Sequence, residues 1–250
     1  MMINIGLQSE YVLNVCGFQL TNSFLSTLFV TLILILGFGV AALTRKSEGF
    51  LYRASRVLVY ELMKIIDSVT QDREMTKKVL PLIATFFIFI ITANVFGLMP
   101  GLFGSFFVHT EMGDLPLFRS PNSDLTTTLA LALFSVLSLQ IFSLRSLGGS
   151  QYLRRFFNFR SPIAFILGFF EMLSEGVRVL SFSFRLFGNI FAGEILLLII
   201  AFLVPYIIPI PFMILEVFTG VIQAFIFAML TLTFVKIGMM RHTSSEKAVA

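Results

Sequence analysis

Long, uncharged apolar runs restrict the fold of this chain more than any other feature. A helix that crosses a membrane needs roughly 20 apolar residues to span about 30 Å of hydrocarbon. Five runs reach that length: 22–43, 79–99, 125–144, 212–237 and the longest, 162–203, which is interrupted by charge. Since 57% of the 250 residues are hydrophobic and 13% are charged, we predict an all-α integral membrane protein. We expect five membrane-crossing helices in a single membrane domain, 1–250.

The longest run, 162–203, has an unusual geometry for a crossing helix. As one helix it would extend about 63 Å at roughly 1.5 Å per residue, twice the hydrocarbon thickness. No proline interrupts it between Pro162 and Pro205, so we expect a continuous, strongly tilted helix. The prolines of "VPYIIPIP" then turn the chain. We predict that 212–237 returns antiparallel as the second arm of a long, tilted hairpin.

Residues 48–70 predict one further helix, which is amphipathic. In "EGFLYRASRVLVYELMKIIDSVT" apolar residues recur at helical spacing with charged residues between them. Such a helix lies at the membrane interface, where it docks on the membrane domain or meets a partner. A solvated connector packed on the protein is the alternative, and the sequence leaves both open.

The basic residues alternate along the chain in a pattern that predicts topology. The segments 44–78, 145–160 and 236–250 hold 15 of the 18 Lys and Arg. The alternate segments 1–21, 99–124 and 204–211 hold only Arg119. By the positive-inside rule, the N-terminus lies outside and the C-terminus in the cytoplasm. Because topology accounts for the net charge of +4, we expect no nucleic acid partner.

Neither the start of the chain nor its few cysteine and histidine residues indicate processing or a cofactor. The first twenty residues contain Glu10 and no Lys or Arg, so they lack the basic leader of a signal peptide, and we expect 22–43 to be retained. Cys16 is the only cysteine, and His109 and His242 lie outside the apolar runs. We therefore expect no disulfide, metal or cofactor.

Arg185 is the residue that most needs an explanation, because it lies near the middle of the longest run. A guanidinium keeps its proton there, and at the bilayer centre it costs a few kcal/mol or more, so it must face water or a carboxylate. Glu194 follows nine residues later, which is about 900° of rotation and about 13.5 Å along a helix, so the two cannot pair. Asn189, one turn on, shares the face of Arg185.

The other intramembrane polar residues form an outer and an inner group. Glu194 and Glu216 lie at similar, shallow outer depth, and Gln223 lies deeper, toward Arg185. The inner group consists of Glu171, Ser174 and Glu175. This division predicts two half-depth aqueous paths separated by a fixed positive charge. The alternative is a structural network of Arg185, Gln223 and Glu216 that holds two helices together.

Three further features have simpler structural explanations. Arg178 has Glu171 and Glu175 seven and three residues before it and is expected to pair with one of them. Ser123 or Asp124 can cap the helix of 125–144; for Asp124 a role in ion passage stays open. Gly188 and Ala192 are small residues at a spacing that permits close helix approach.

Four stretches together resemble subunit a of the F-type ATP synthase membrane sector: "RLFGNIFAGE" (185–194), "IQAFIFAMLTLTF" (222–234), "DLTTTLALAL" (124–133) and "NVFGLMPG" (94–101). The resemblance implies a non-catalytic stator beside a rotating c-ring, with peripheral-stalk b subunits and the lipid bilayer as its other neighbours. It identifies Arg185 with the family's essential arginine and Asn189 with its companion. It also implies that Glu194, Glu216 and Gln223 line the outer half-channel, that Glu171 and Ser174 line the inner one, and that Asp124 is an outer-side acid.

The resemblance favours a bacterial plasma membrane, with the mitochondrial inner membrane as the alternative, and leaves H⁺ or Na⁺ coupling open. A different ion or solute transporter with a mid-membrane arginine is the rival interpretation. Such transporters often contain inverted repeats with broken helices, and the sequence has neither. A purely structural anchor is a second rival, but it leaves Arg185 without a purpose.

Overall fold

The computed structural model describes residues 11–15, 18–44, 49–98, 107–110, 113–116, 119–147, 162–204 and 207–240. The helices in these ranges are α1 (Asn22–Leu43), α2 (Phe50–Thr70), α3 (Arg73–Gly97), α4 (Leu125–Leu147), α5 (Pro162–Leu203) and α6 (Pro209–Met240). Strand β1 (Tyr11–Val15) pairs antiparallel with β2 (Phe18–Thr21), and β3 (Phe107–Thr110) with β4 (Gly113–Pro116). A 3₁₀ turn, Pro121–Ser123, precedes α4.

Five of these helices are long and apolar enough to cross a membrane: α1, α3, α4, α5 and α6. The sixth, α2, is amphipathic, since Leu62, Ile66 and Thr70 in its C-terminal half are buried while Glu61, Lys64 and Ser68 are exposed. The predicted all-α membrane fold is therefore confirmed. The two β-hairpins, which lie before α1 and between α3 and α4, were not predicted.

Helix α3 begins at Arg73, six residues before the start that apolarity predicts. Gln71 ends α2 in the left-handed conformation, with φ of 57°. The Asp72 carboxylate then accepts hydrogen bonds from the backbone N–H groups of Glu74 at 2.9 Å and Met75 at 3.4 Å. This cap satisfies N–H groups that the start of a helix leaves unpaired. Helix α3 therefore includes the polar residues 73–78 before the apolar span.

The core lies around α3 and α6. One cluster of buried residues joins α2, α3, α4 and α6 and includes Ile66, Val79, Ile83, Leu139 and Leu232. A second joins α3, α4, α5 and α6 and includes Phe86, Ile90, Ala132, Leu186 and Phe227. Near the C-terminal end of α6, Lys236 Nζ donates to the backbone oxygen of Val69 in α2 at 2.7 Å.

Helix α5 runs without a break from Pro162 to Leu203, as the uninterrupted run predicted. One side packs on its neighbours through Phe182, Leu186 and Ile190, and Ser183 Oγ lies 3.2 Å from Thr128 Oγ1 of α4. The opposite side is uncovered. Only 11% of the crossing window of α5 is buried, against 44% for α3, so α5 forms an edge of the helix bundle.

Two glycines of α5 have opposite surroundings. A Cβ atom added to Gly188 would meet nothing within 4 Å. One added to Gly193 would lie 2.7 Å from Oε1 and 2.8 Å from Cδ of Glu216 on α6. Close approach of α5 and α6 therefore occurs at Gly193. The expectation of a close helix approach at Gly188 was wrong for packing within this chain.

Candidate functional site

Arg185 lies near the middle of α5, on its uncovered side. Ser181, Gly188 and Ala192, which flank it at one-turn spacing, are also exposed, whereas the adjacent Leu186 is fully buried. Among the residues that the structure describes, Arg185 forms no hydrogen bond or salt bridge. Its guanidinium is thus directed away from the body of its own chain.

Asn189 and Gln223 were both expected near the arginine. Asn189, one turn after Arg185, is half-buried. Gln223 is 7% exposed on α6 and shares a face with Glu216, seven residues earlier. Neither side chain is hydrogen-bonded to Arg185 in the described part of the chain. The described residues therefore do not form the alternative structural network of Arg185, Gln223 and Glu216.

The two outer carboxylates come together where α5 and α6 approach each other. Glu216 is 8% exposed, and its carboxylate lies against the backbone of Gly193. Glu194 is the next residue of α5. The expectation that these carboxylates share one depth, on opposite arms of the hairpin, agrees with this contact.

A loop arginine completes the outer site. Arg119 Nε lies 3.5 Å from Glu194 Oε1, and the arginine side chain is 12% exposed. The same Nε donates to Ser123 Oγ at 3.2 Å, and the Arg119 backbone N–H donates to Ser26 Oγ of α1 at 3.1 Å. The segment before α4 is therefore fixed to α1 and places a cation beside one of the two carboxylates.

Buried asparagines connect this loop with α3 and α6. Asn94 Nδ2 donates to the backbone oxygen of Gly220 at 3.0 Å, and Asn122 Nδ2 donates to Asn94 Oδ1 at 2.7 Å. Gly220 lies one turn after Glu216 on α6. These contacts thus form a closed ring, which we call the outer site. The ring runs from Glu216 through Gly220, Asn94 and the loop to Arg119, and returns through Glu194 and Gly193.

Four buried oxygen atoms in this ring lack a hydrogen-bond donor among the described residues. They are Ser120 Oγ, Asn122 Oδ1, Glu194 Oε2 and Glu216 Oε2. Buried polar atoms in proteins nearly always have a partner, which is often a water molecule. The outer site thus concentrates acceptor groups that the neighbouring helices do not satisfy.

The inner group is less closely assembled. Arg178 Nη1 donates to Glu175 Oε2 at 2.8 Å, and its guanidinium carbon lies 4.1 Å from the ring centre of Phe234, so the expected pairing of Arg178 with a nearby glutamate is confirmed for Glu175. Ser174 is exposed and donates to the backbone oxygen of Glu171 at 2.7 Å. Glu171 is half-buried on the same stretch of α5.

Asp124 caps helix α4. Its Oδ1 accepts a hydrogen bond from the backbone N–H of Thr126 at 3.0 Å, and its backbone oxygen accepts from the N–H of Thr128 at 3.2 Å. The capping role predicted for this residue is therefore confirmed. A role in ion passage stays a prediction.

Comparison with known proteins shows the family. A family model described as "ATP synthase A chain" matches residues 24–236. The chain belongs to this family. ATP synthase subunit a of Moorella thermoacetica is 32% identical over 209 residues, which cover 83% of this chain and 86% of that protein.

Other members of the ATP synthase A chain family are similar over comparable lengths. Subunit a of Legionella pneumophila is 30% identical over 240 residues, 95% of this chain and 94% of that protein. Subunit a of Gloeobacter violaceus is 36% identical over 216 residues, 84% and 80% of the two chains. Together with five apolar crossing helices, these relatives make the chain a multi-pass membrane protein of the ATP synthase subunit a type.

Several residues of the outer site in this family member were not predicted from the sequence. Asn94, Asn122 and Ser120 were not singled out, and Arg119 was noticed only as a basic residue in an outer segment. A signal was present for two of them. Asn94 is a polar amide inside an apolar run, and Arg119 breaks the otherwise strict charge asymmetry between loops.

Proposed function

We propose that this chain is the stator subunit a of an F-type ATP synthase. It provides two aqueous half-channels for proton translocation against a rotating c-ring, and Arg185 separates them. The position of Arg185 carries the proposal. A permanent cation lies in an apolar span, on the uncovered side of the least-buried crossing helix, with no partner among the described residues.

A guanidinium in that position requires compensation. It keeps its proton, and its transfer to the bilayer centre costs a few kcal/mol or more. Since the acids of the described chain are engaged elsewhere or lie out of reach, the compensating carboxylate belongs to a neighbouring subunit. A ring of c subunits, each with a mid-membrane carboxyl group, is such a neighbour.

The outer site supports an outer half-channel. Glu194, Glu216 and Gln223 lie along one route from the outer end of the hairpin toward the depth of Arg185, and Asp124 lies at the start of α4 beside it. The acceptors without donors in this ring suit a chain of water molecules, because a water in a polar cavity binds two to four protein groups. Protons would reach the c-ring along this route.

The inner half-channel uses Glu171 and Ser174. They lie on the inner half of α5, more than two turns before Arg185. Glu175 and Arg178 form an ion pair, and Glu171 is a further acid, half-buried one turn before Glu175. The charge on Glu171 attracts protons that leave the ring toward the cytoplasm.

In the proposed mechanism, protons cross the membrane in a repeating cycle. A proton that arrives from outside neutralises a ring carboxylate, and the neutral carboxyl group rotates into lipid. After nearly a full turn it reaches the inner path and releases the proton, and Arg185, with Asn189 beside it, attracts the ionised carboxylate. The fixed guanidinium also blocks direct passage of protons between the two paths. Each charge moved across the membrane supplies about 2.3 kcal/mol per 100 mV.

The proposed assembly follows from the same role. The c-ring contacts the uncovered side of α5, the peripheral-stalk b subunits contact other helices, and lipid covers the remaining apolar surface. The protein would lie in a bacterial plasma membrane with its N-terminus outside and its C-terminus in the cytoplasm, in keeping with the distribution of Lys and Arg.

The decisive experiment changes Arg185 in the complete ATP synthase reconstituted into vesicles. Arg185→Ala is expected to abolish ATP synthesis driven by a proton gradient while the chain is still inserted and assembled. Arg185→Lys is expected to fail as well, because an ammonium lacks the planar guanidinium and releases its proton more readily. Normal synthesis by either variant contradicts the proposal.

Arg178 offers a matched control on the same helix. Lysine at this position keeps a cation within reach of Glu175, so Arg178→Lys is expected to retain most of the synthesis rate. Equal loss of synthesis in Arg178→Lys and Arg185→Lys would mean that α5 tolerates no lysine at all. The assignment of Arg185 as the separating charge would then lose its support.

A further inference from the structure

We propose that Arg119 is a positioning residue that assigns different roles to the two outer carboxylates. It holds Glu194 in a fixed ion pair and leaves Glu216 as the carboxylate that exchanges protons with the outer water. This inference rests on the proposed function, since it concerns proton delivery through the same half-channel.

Arg119 is held rigidly enough for such a role. Its backbone is fixed to Ser26 of α1, and its Nε is bound to Ser123 Oγ, whose own hydroxyl donates to the backbone oxygen of Ser120 at 2.9 Å. The 3₁₀ turn that contains Ser123 is buried. The guanidinium is therefore positioned by the fold before any ion arrives.

The arginine is placed asymmetrically between the two acids. Its Nε lies within 3.5 Å of Glu194 Oε1, whereas no salt bridge joins any described cation to Glu216. The Glu216 carboxylate instead rests against Gly193, with Oε2 buried and without a donor among the described residues. Of the two neighbouring acids, one is neutralised by a fixed charge and the other is not.

This arrangement has a consequence for proton delivery. Without Arg119, two negative charges would lie side by side in a poorly solvated place, where they repel each other strongly. The Glu194 side chain would then be free to move toward Glu216 and share its proton. With Arg119 in place, Glu194 stays ion-paired beside Glu216, and Glu216 is the carboxylate that takes up protons from the outer water.

The test is a charge-rescue series in the assembled ATP synthase, with passive proton flux through the membrane sector as the readout. Arg119→Gln is expected to lower the flux at least about tenfold, since the Glu194 carboxylate, whose side chain is 38% exposed, loses its cationic partner beside the buried Glu216. Adding Glu194→Gln to that variant removes the uncompensated charge, and the flux is expected to return to the level of Glu194→Gln alone. Arg119→Lys is expected to retain most of the flux.

A residue that only supported the loop would behave differently. In that case Glu194→Gln would give no recovery, and Arg119→Lys would be as defective as Arg119→Gln. Either result overturns the proposal. Arg145→Gln, at an exposed arginine near the other end of α4, is the matched control and is expected to leave flux unchanged.

The series also separates this inference from the proposed function. If Arg185→Ala abolishes proton-driven synthesis but the Arg119 series shows no rescue, only the role of Arg119 is rejected. If Arg185→Ala synthesises ATP normally, the half-channel proposal itself is rejected. Immunodetection of the chain in purified complex shows that each variant is assembled before its flux is compared.

Discussion

Gly193 and Glu216 are in direct contact across the two arms of the long hairpin. A Cβ atom on Gly193 would lie 2.7 Å from Glu216 Oε1, closer than non-bonded atoms tolerate. The absence of a side chain at 193 therefore lets the Glu216 carboxylate lie against the backbone of α5. This contact fixes where the outer carboxylate is held relative to the arginine-bearing helix.

Gly193→Ala is expected to slow proton flux without unfolding the chain. The methyl group displaces the end of a flexible side chain, so the carboxylate moves by roughly 1 Å, and such a displacement at a reactive group costs up to about 100-fold in rate. Proton flux in reconstituted vesicles is the measurement. Gly39→Ala, at a helical position with nothing within 4 Å, is the control, and equal flux in both variants would contradict the prediction.

Replacement of the two outer carboxylates is expected to have unequal effects. Glu216→Gln removes the carboxylate that has no salt bridge to a described cation and should nearly stop passive flux. Glu194→Gln removes one that is already neutralised by Arg119 and should slow it less. Flux through the membrane sector after removal of the catalytic part measures both. A larger loss of proton flux in Glu194→Gln than in Glu216→Gln would mean that Glu194, and not Glu216, is the main proton-exchanging carboxylate.

Gly188→Leu tests the uncovered side of α5. No described residue lies within 4 Å of the added Cβ, and leucine favours a helix over glycine by about 0.5–1 kcal/mol. Insertion and the unfolding midpoint of the detergent-solubilised subunit should be unchanged or slightly improved. ATP-driven proton pumping by the complete enzyme should nevertheless fall, because the side chain occupies the space next to Arg185 where the ring passes.

Unchanged pumping by Gly188→Leu would show that the ring does not approach this part of α5. Leu198, on the same helix toward its outer end, is exposed and provides the comparison. Leu198→Met changes shape but little volume, and should alter neither stability nor pumping.

Asn94→Leu is expected to destabilise the chain by about 1–3 kcal/mol, since it leaves the buried Asn122 amide without a partner. Unfolding of the purified subunit by SDS titration, followed by circular dichroism, gives the change in free energy. Thr92→Val is the control on the same helix, because the Thr92 hydroxyl bonds only to the backbone of Ile88, at 2.8 Å. If Asn94→Leu lowers the free energy of unfolding no more than Thr92→Val does, the asparagines have no structural role.

Sequence patterns predicted the crossing helices well, for identifiable reasons. The prolines at 162 and 205 bracket α5, so its extent and continuity could be predicted. The start of α3 was predicted too late, because hydropathy ignores the Asp72 cap that extends the helix into a polar segment. The hairpins flanking the crossings have no strong periodicity and could not be foreseen.

The site was predictable where it depends on one helix and less so where it depends on several. Helical geometry alone excluded a pair between Arg185 and Glu194, and the structure agrees. The pairing of Arg119 with Glu194 joins a loop to a helix far away in sequence, and no local pattern encodes it. The same holds for Asn94 and Asn122, whose roles depend on how α3, α6 and the loop before α4 pack.

Helix α5 is bare on one side and firmly attached on the other, and this asymmetry has a mechanical meaning. The ring of Phe182 lies 5.1 Å from that of Phe227 and 5.9 Å from that of Phe234, both on α6, and the Ser183–Thr128 hydroxyl contact holds the neighbouring turn. In the proposed assembly, a c-ring that turns against the bare side would push α5 sideways at every step. Because these contacts lie on the side of α5 away from the bare one, they would pass that force on to α4 and α6.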